Sequence, residues 1–329
     1  MIVRWGLAKL PMVLGELGIQ EPLLVASERW AGTNLGVRTV ARWTEVPSDQ
    51  VAAAAEHVGD GVLAVGGGSA IDLGKAISVE AGVPVVSVPT TYAGAEWTPF
   101  FGIRDPERRM RGGGVGAQLA GVVYEPELTL SLPRPETVGT ALNALAHSAE
   151  ALYVEGHNPT ADEHALEGAK LIGEWLPRVV ARPQDLGARK KLLEGAMHAG
   201  MALGGSMLAL GHAMAQALGG RYGLPHGAMN ALTLPPALRF NAGVAPDALR
   251  RFGEALGTDD PAARVEELAR LGGFRELRDF GIPEDELPEV PSATAQRPGA
   301  KANPRTVTAA EVETLLRSIY GITTPDTSN

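Results

Sequence analysis

The sequence predicts a two-part chain: an α/β half built on a mainly parallel sheet, then an all-helical half. Over roughly the first 130 residues, short β-rich apolar runs alternate with helix-length patterns, the signature of crossovers that cover a parallel sheet on both faces. After residues 124–136 (YEPELTLSLPRPE) the pattern turns almost wholly helical, and Pro133 and Pro135 punctuate the change. At 329 residues the chain is also long for one core. The expected boundary lies near residue 133, giving units 1–133 and 134–329.

Strands are expected at residues 22–27 (PLLVAS), 37–43 (VRTVARW), 61–67 (GVLAVGG) and 83–91 (VPVVSVPTT). Helices are expected at residues 9–18 and 48–60, and then through 140–154, 161–180 and 188–205. Residues 286–305 are rich in Pro, Ala and polar residues and read as a long surface connection before a last helix over 308–321.

The totals narrow the function. The formal charge of −9 and the lack of a basic stripe argue against a nucleic-acid partner. The absence of cysteine excludes disulfides, thiolate metal sites and a cysteine nucleophile. No apolar run approaches a membrane span, and the N-terminal stretch lacks a signal-peptide core, so a cytoplasmic protein is expected. The glycine content and apolar helices are compatible with a homodimer.

Two stretches carry chemistry. In GVLAVGGGSAIDLGKAIS (61–78) a strand runs through three glycines into a helix. Backbone N–H groups without Cβ atoms, beside a helix N-terminus, suit a phosphate; tight packing of helix on strand is the plain alternative. Neither G-x-G-x-x-G nor the P-loop pattern can be drawn through it, since Ser69 stands where the P-loop's first glycine belongs and Ala76 follows Lys75. Ser69 and Asp72 stand at capping-box spacing. In the helical half, Asn143 and His147 lie at i and i+4, as do His212 and Gln216, with His226 in a predicted loop beyond Gly219–Gly220. Such residues suit a metal, a substrate oxygen, or neither. His57, His157, His164 and His198 lack a partner at ligand spacing and read as surface or structural.

Taken in order, GGGSAIDLGKAI, VPTTYAGAEWTPFFGI, VVYEPELTLSLP, ALNALAHSAEALY, HAMAQALGGRYGLPHG and ANPRTVTAAEVETLL resemble the iron-containing alcohol dehydrogenase superfamily, and within it most closely the maleylacetate reductases. The resemblance implies a doubly wound, Rossmann-like N-terminal domain and an all-α C-terminal domain, the dehydroquinate synthase-like architecture, with the site between them. It implies NADH or NADPH, with Gly67, Gly68 and Ser69 at the pyrophosphate, Asp72 nearby, Thr90, Thr91 and Tyr92 at the cofactor's far end, and Ser27 near the adenosine ribose. Glu28 and Arg29 follow Ser27, and a carboxylate and a guanidinium there favour opposite cofactors.

Two residues depart from the wider family pattern. Asn143 stands where the iron-dependent dehydrogenases place an aspartate ligand, a change the maleylacetate reductases share. A divalent metal, zinc or iron on His147, His212 and His226, is thus allowed but not expected. Gln216 stands where both groups usually place a histidine, and an amide exchanges no proton near neutral pH. The implied reaction is reduction of an unsaturated oxo-acid, with His147, His212 and His226 stabilising and protonating an enolate. Arg221 is the favoured carboxylate anchor, ahead of Arg104, Arg108, Arg109 and Arg111. The rival readings are a metal-dependent alcohol dehydrogenase, a cyclising synthase on the related scaffold, and a catalytically altered relative.

Overall fold

The computed structural model describes residues 1–321. Its first half comprises β1 (Ile2–Trp5), α1 (Leu10–Glu16), β2 (Leu23–Val25), β3 (Ala41–Trp43), α2 (Val51–Ala55), β4 (Val62–Gly66), α3 (Gly68–Ala81), β5 (Pro84–Pro89), β6 (Phe100–Arg104), β7 (Met110–Val115) and β8 (Gln118–Tyr124). Six strands form one sheet in the order β1-β8-β5-β4-β2-β3, every pairing parallel. β6 and β7 form a separate antiparallel hairpin. β4 shows how the period-2 rule covers both faces: Leu63 and Val65 join one apolar cluster with Val86 and Val88, while Val62 and Ala64 join another with Val85, Leu73 and Ile77. Gly74 lets α3 sit down on the strand, since a Cβ there would lie 2.8 Å from the Ala64 Cβ.

The second half is helical: α4 (Arg134–Ala151), α5 (Pro159–Ala181), α6 (Leu186–Gly204), α7 (Leu210–Tyr222), α8 (His226–Asn241), α9 (Pro246–Leu256), α10 (Pro261–Leu271), α11 (Val290–Ala295), α12 (Pro298–Lys301) and α13 (Ala309–Ser318). α4 is its axis; Thr137–Leu142 aside from Thr140, and all of Asn143–Ala151, are buried. Such all-round burial marks a helix enclosed by others. Among the described residues no helix is long and apolar enough to cross a membrane.

Three expectations need correction. The strand over 37–43 shrinks to Ala41–Trp43, because its neighbour β2 offers only Leu23–Val25 to pair with. Residues 286–305 are not a surface connection: short helical turns there bury Leu287, Val290, Pro291, Thr294, Gly299 and Ala300, and Asn303 exchanges amide hydrogen bonds with Asn241. His164 and His198 are not without partners, since their Nδ1 atoms meet at 3.0 Å between α5 and α6.

Candidate active site

β2, β4 and β5 are parallel neighbours, so their carboxyl ends share one edge of the sheet, the edge at which open α/β sheets take ligands. Ser27, Gly67 and Thr90–Thr91 lie just beyond those ends. Gly66 has φ +153°, and a Cβ on it would stand 2.7 Å from that of Ala70; a Cβ on Gly67 would stand 2.8 Å from the Thr91 Cγ2. At Gly68 the nearest atom to an added Cβ is the Ala93 Cβ at 3.7 Å. Close packing therefore accounts for the first two glycines, while the third leaves backbone open at the start of α3. No side chain caps that helix, so its N-terminal dipole faces outward. These features fit a dinucleotide pyrophosphate.

Other residues of this edge act differently from expectation. The Ser69–Asp72 capping box does not form, because the helix starts at Gly68 with Gly67 as its N-cap, which puts Ser69 inside it. Asp72 instead pairs with Lys75 Nζ at 2.7 Å and accepts the Gly102 N–H at 3.2 Å. Buried Lys75 also donates to the Ala95 and Phe100 carbonyls. Tyr92 does not face a ligand: it is fully buried, and its hydroxyl meets Thr129 and Arg189 Nη1. Its backbone N–H donates to Thr140 Oγ1 of α4, so the residue anchors the loop to the helical half. The Thr90 N–H donates to the Gly66 carbonyl, tying the two loops together. Arg29 is committed to Ser131, and Arg42 donates to the Ser27 carbonyl.

The helical half brings Asn143, His147, His212 and His226 together. The His147 and His212 rings stack at 4.8 Å between centroids with a 17° interplanar angle, and His226 lies 5.8 Å from His212. His226 is the first residue of α8 rather than a loop residue. Asn143 Nδ2 donates to the Ala93 carbonyl, so its Oδ1 faces inward, accepting from Asn230 Nδ2 at 2.8 Å and standing 3.3 Å from His212 Nε2. Asn230 Nδ2 also points at His226 Nε2, 3.1 Å away. An amide N–H requires an acceptor, which leaves the His226 proton on Nδ1. That Nδ1, like the Nδ1 of His147, is buried with no partner. Burial and then the neighbouring His212 hold both His147 and His226 well below the ordinary histidine pKa, so both imidazoles are neutral near pH 7.

Two residues that the spacing argument overlooked complete this network. Glu150, fully buried, accepts from His212 Nδ1 at 2.7 Å and from the backbone N–H groups of Ala209 and His212. Asn230 fixes both Asn143 and His226. Glu150 follows His147 by three positions in α4 and His226 precedes Asn230 by four in α8, so helical spacing carried a signal for each. Gln216 lies one turn beyond His212 and accepts from Arg297 Nη1 at 3.4 Å. Arg221 is corrected: its guanidinium, 39% exposed, pairs with Glu286 and Glu289 and is spent at the surface. Arg109 and Arg111 pair with Asp105; Arg108, which is exposed, and Arg104, which is partly buried, form no carboxylate pair among the described residues.

The cluster does not fit a divalent metal as arranged. Although His147, His212 and His226 lie side by side, among the described residues no three His, Asp or Glu side chains are placed to hold one ion. The residue in the carboxylate's place is a neutral amide whose oxygen already takes Asn230, and His212 Nε2 aims at that same oxygen.

The chain matches the iron-containing alcohol dehydrogenase family over residues 5–120 and that family's C-terminal region over residues 137–320. It is 36% identical to a maleylacetate reductase from Pseudomonas knackmussii, over 96% of this chain and 93% of the relative. It is 35% identical to one from Sphingobium indicum, over 93% and 89%. The crystal structure of a maleylacetate reductase from Rhizobium sp. strain MTP-10005 superposes with a TM-score of 0.87 at 29% identity, covering 97% of this chain and 95% of the other.

Proposed function

The chain belongs to the iron-containing alcohol dehydrogenase family and is an oxidoreductase, and from that premise we propose that it reduces maleylacetate, or a closely similar unsaturated oxo-dicarboxylate, without a metal. The observation that carries the reading is Asn143: in place of a charged ligand stands an amide held at both ends, and the imidazoles around it keep free N–H or lone-pair positions.

NADH or NADPH would supply a hydride when bound; its addition to the alkene carbon β to the ketone would leave the electron pair on the keto oxygen as an enolate. Gly67, Gly68 and Ser69 would hold the cofactor's pyrophosphate, with Thr90 and Thr91 on the neighbouring loop. The protein's task at the enolate is to offer preorganised donors. His226 Nδ1–H is one, its proton kept there by Asn230. His147 Nδ1 is the second buried ring nitrogen without a partner. A neutral imidazole in a desolvated site stabilises a growing oxyanion without adding a full charge to the free enzyme. The reduced product needs one proton on carbon, which the amide of Gln216 cannot supply. His212 is the ring placed to pass one on: its Nδ1 meets Glu150 at 2.7 Å and its Nε2 stands 3.3 Å from Asn143 Oδ1, and a proton relayed through it completes the reduction.

The test is turnover of maleylacetate with NADH and with NADPH, against propanal with the same cofactors and ethanol with NAD+ and NADP+ as controls. Oxidation of either cofactor by maleylacetate, with controls near background, supports the reading. Preferential turnover of the simple aldehyde or alcohol would replace it with an alcohol dehydrogenase.

A further inference from the structure

Arg297 lies in the segment whose sequence resembles a surface linker, yet its backbone is packed tightly. A Cβ on Gly299 would fall 2.7 Å from the Ala209 carbonyl, so residues 297–300 lie directly on the chain entering α7. From there the Arg297 side chain runs along one face of α7. Nη1 donates to Gln216, and Nη2 would be 3.8 Å from a Cβ on Gly220. His212, Gln216 and Gly220 stand at i, i+4 and i+8, one stripe of that helix. The β6–β7 hairpin meets the same stripe: the Met110 Cβ would lie 3.7 Å from a Gly220 Cβ, and Met110 is the register partner of Arg104. Two arginines, one from each half of the chain, therefore border the histidine cluster.

Neither guanidinium has an anionic partner of its own. Among the described residues neither has a carboxylate within ion-pair distance, and the nearby Asp72 is bound to Lys75. Arg104 spends Nη1 on the Arg108 carbonyl. Arg297 Nε is buried with no acceptor. Burial, and then the Arg104 charge, push the Arg297 pKa down, and both charges act on His226. Two partly desolvated guanidiniums near each other, one with an orphaned donor, are costly unless an oxyanion completes them.

We propose that Arg297 and Arg104 form the seat for a substrate carboxylate, with Gln216 positioning Arg297, so that Arg297 selects dicarboxylates over monocarboxylates. This rests on the oxo-dicarboxylate reading above. A cofactor phosphate is the other oxyanion within reach of Arg104, and the experiment separates the two.

Arg297→Ala and Arg297→Lys are compared with wild type for the KM and kcat of maleylacetate and the Kd of NADH and NADPH. Binding of adipate and of hexanoate, followed by thermal shift with cofactor present, gives a readout independent of turnover. The expected result for Arg297→Ala is a KM raised at least about tenfold with cofactor Kd held within about twofold. Wild type should prefer adipate to hexanoate, and Arg297→Ala should lose that preference. Arg297→Lys, retaining the charge without the fork, should fall between, and its melting temperature controls for folding. A raised cofactor Kd with unchanged KM overturns the proposal in favour of a phosphate contact. A wild type that does not distinguish adipate from hexanoate overturns it outright. Lack of maleylacetate turnover alongside an Arg297-dependent adipate preference would instead refute the substrate and leave the seat standing.

Discussion

At the carboxyl edge of the sheet the proposed cofactor surface is backbone; in the helical half the proposed reacting groups are side chains. The first is made by leaving Cβ atoms out at Gly66, Gly67 and Gly68, where neighbours such as Ala70 and Thr91 permit nothing larger at two of the three. The second is made by filling space: Asn143, His147 and His212 are at most 6% exposed, and Glu150 is not exposed at all. The lesson concerns how each fails. A backbone site fails by collision, which costs affinity and stability together. A buried polar network fails by leaving a group unsatisfied, which can remove catalysis while the cofactor still binds.

The largest effect should come from His226→Ala. If its Nδ1–H meets the enolate, kcat falls roughly 10²- to 10³-fold with the cofactor Kd unchanged. A comparable weakening of cofactor binding would erase the division between the two regions. Next, Glu150→Gln keeps the shape but removes the charge that holds His212 Nδ1–H. The expected loss in kcat is roughly 10²-fold, again at constant cofactor Kd, with a displaced pH–rate profile as the sign that proton delivery has changed.

Gly66→Ala attacks the other region. The forced φ and the 2.7 Å contact with Ala70 should cost about 1–3 kcal/mol of stability and weaken NADH or NADPH binding, both visible in one thermal-shift titration. An unchanged melting temperature would mean the loop relaxes freely.

The smallest effect is on acid stability. The unfolded chain protonates His147 near its ordinary value of 6.5, whereas the native protein keeps it neutral to well below that. The unfolded state therefore binds the extra proton, so stability is complete above about pH 6.5 and declines as pH falls below it, by up to about 1.4 kcal/mol per pH unit from this residue. Denaturant midpoints for wild type and His147→Asn, compared between neutral and mildly acidic pH, check this: the variant should lose less.

The same contrast explains what could be read in the sequence. Glycine at a strand–helix junction is a local signal, and the parallel strands β4 and β5 were legible from their apolar runs. β7 was not, because MRGGGV has almost no β propensity and is held by its hairpin partner. Glu150 and Asn230 stand at helical spacing from His147 and His226, but the contacts that give them their roles, to His212 and Asn143, span 62 and 87 residues. Arg297 hid in a Pro-rich stretch whose short turns carry no periodicity, and Arg221 attracted attention by its place between histidines while its charge is spent on Glu286 and Glu289. Asn143 was informative in both ways: its identity pointed away from a charged ligand, and its hydrogen bonds to Ala93 and Asn230 give that substitution a physical role.

The central claim is that an amide-anchored imidazole network replaces a metal. The direct measurement is maleylacetate turnover by protein dialysed against a strong chelator and shown by elemental analysis to hold no zinc or iron. The account predicts the full rate of the untreated protein, unaltered by adding either ion back. Activity that vanishes with the metal and returns with it would contradict the account.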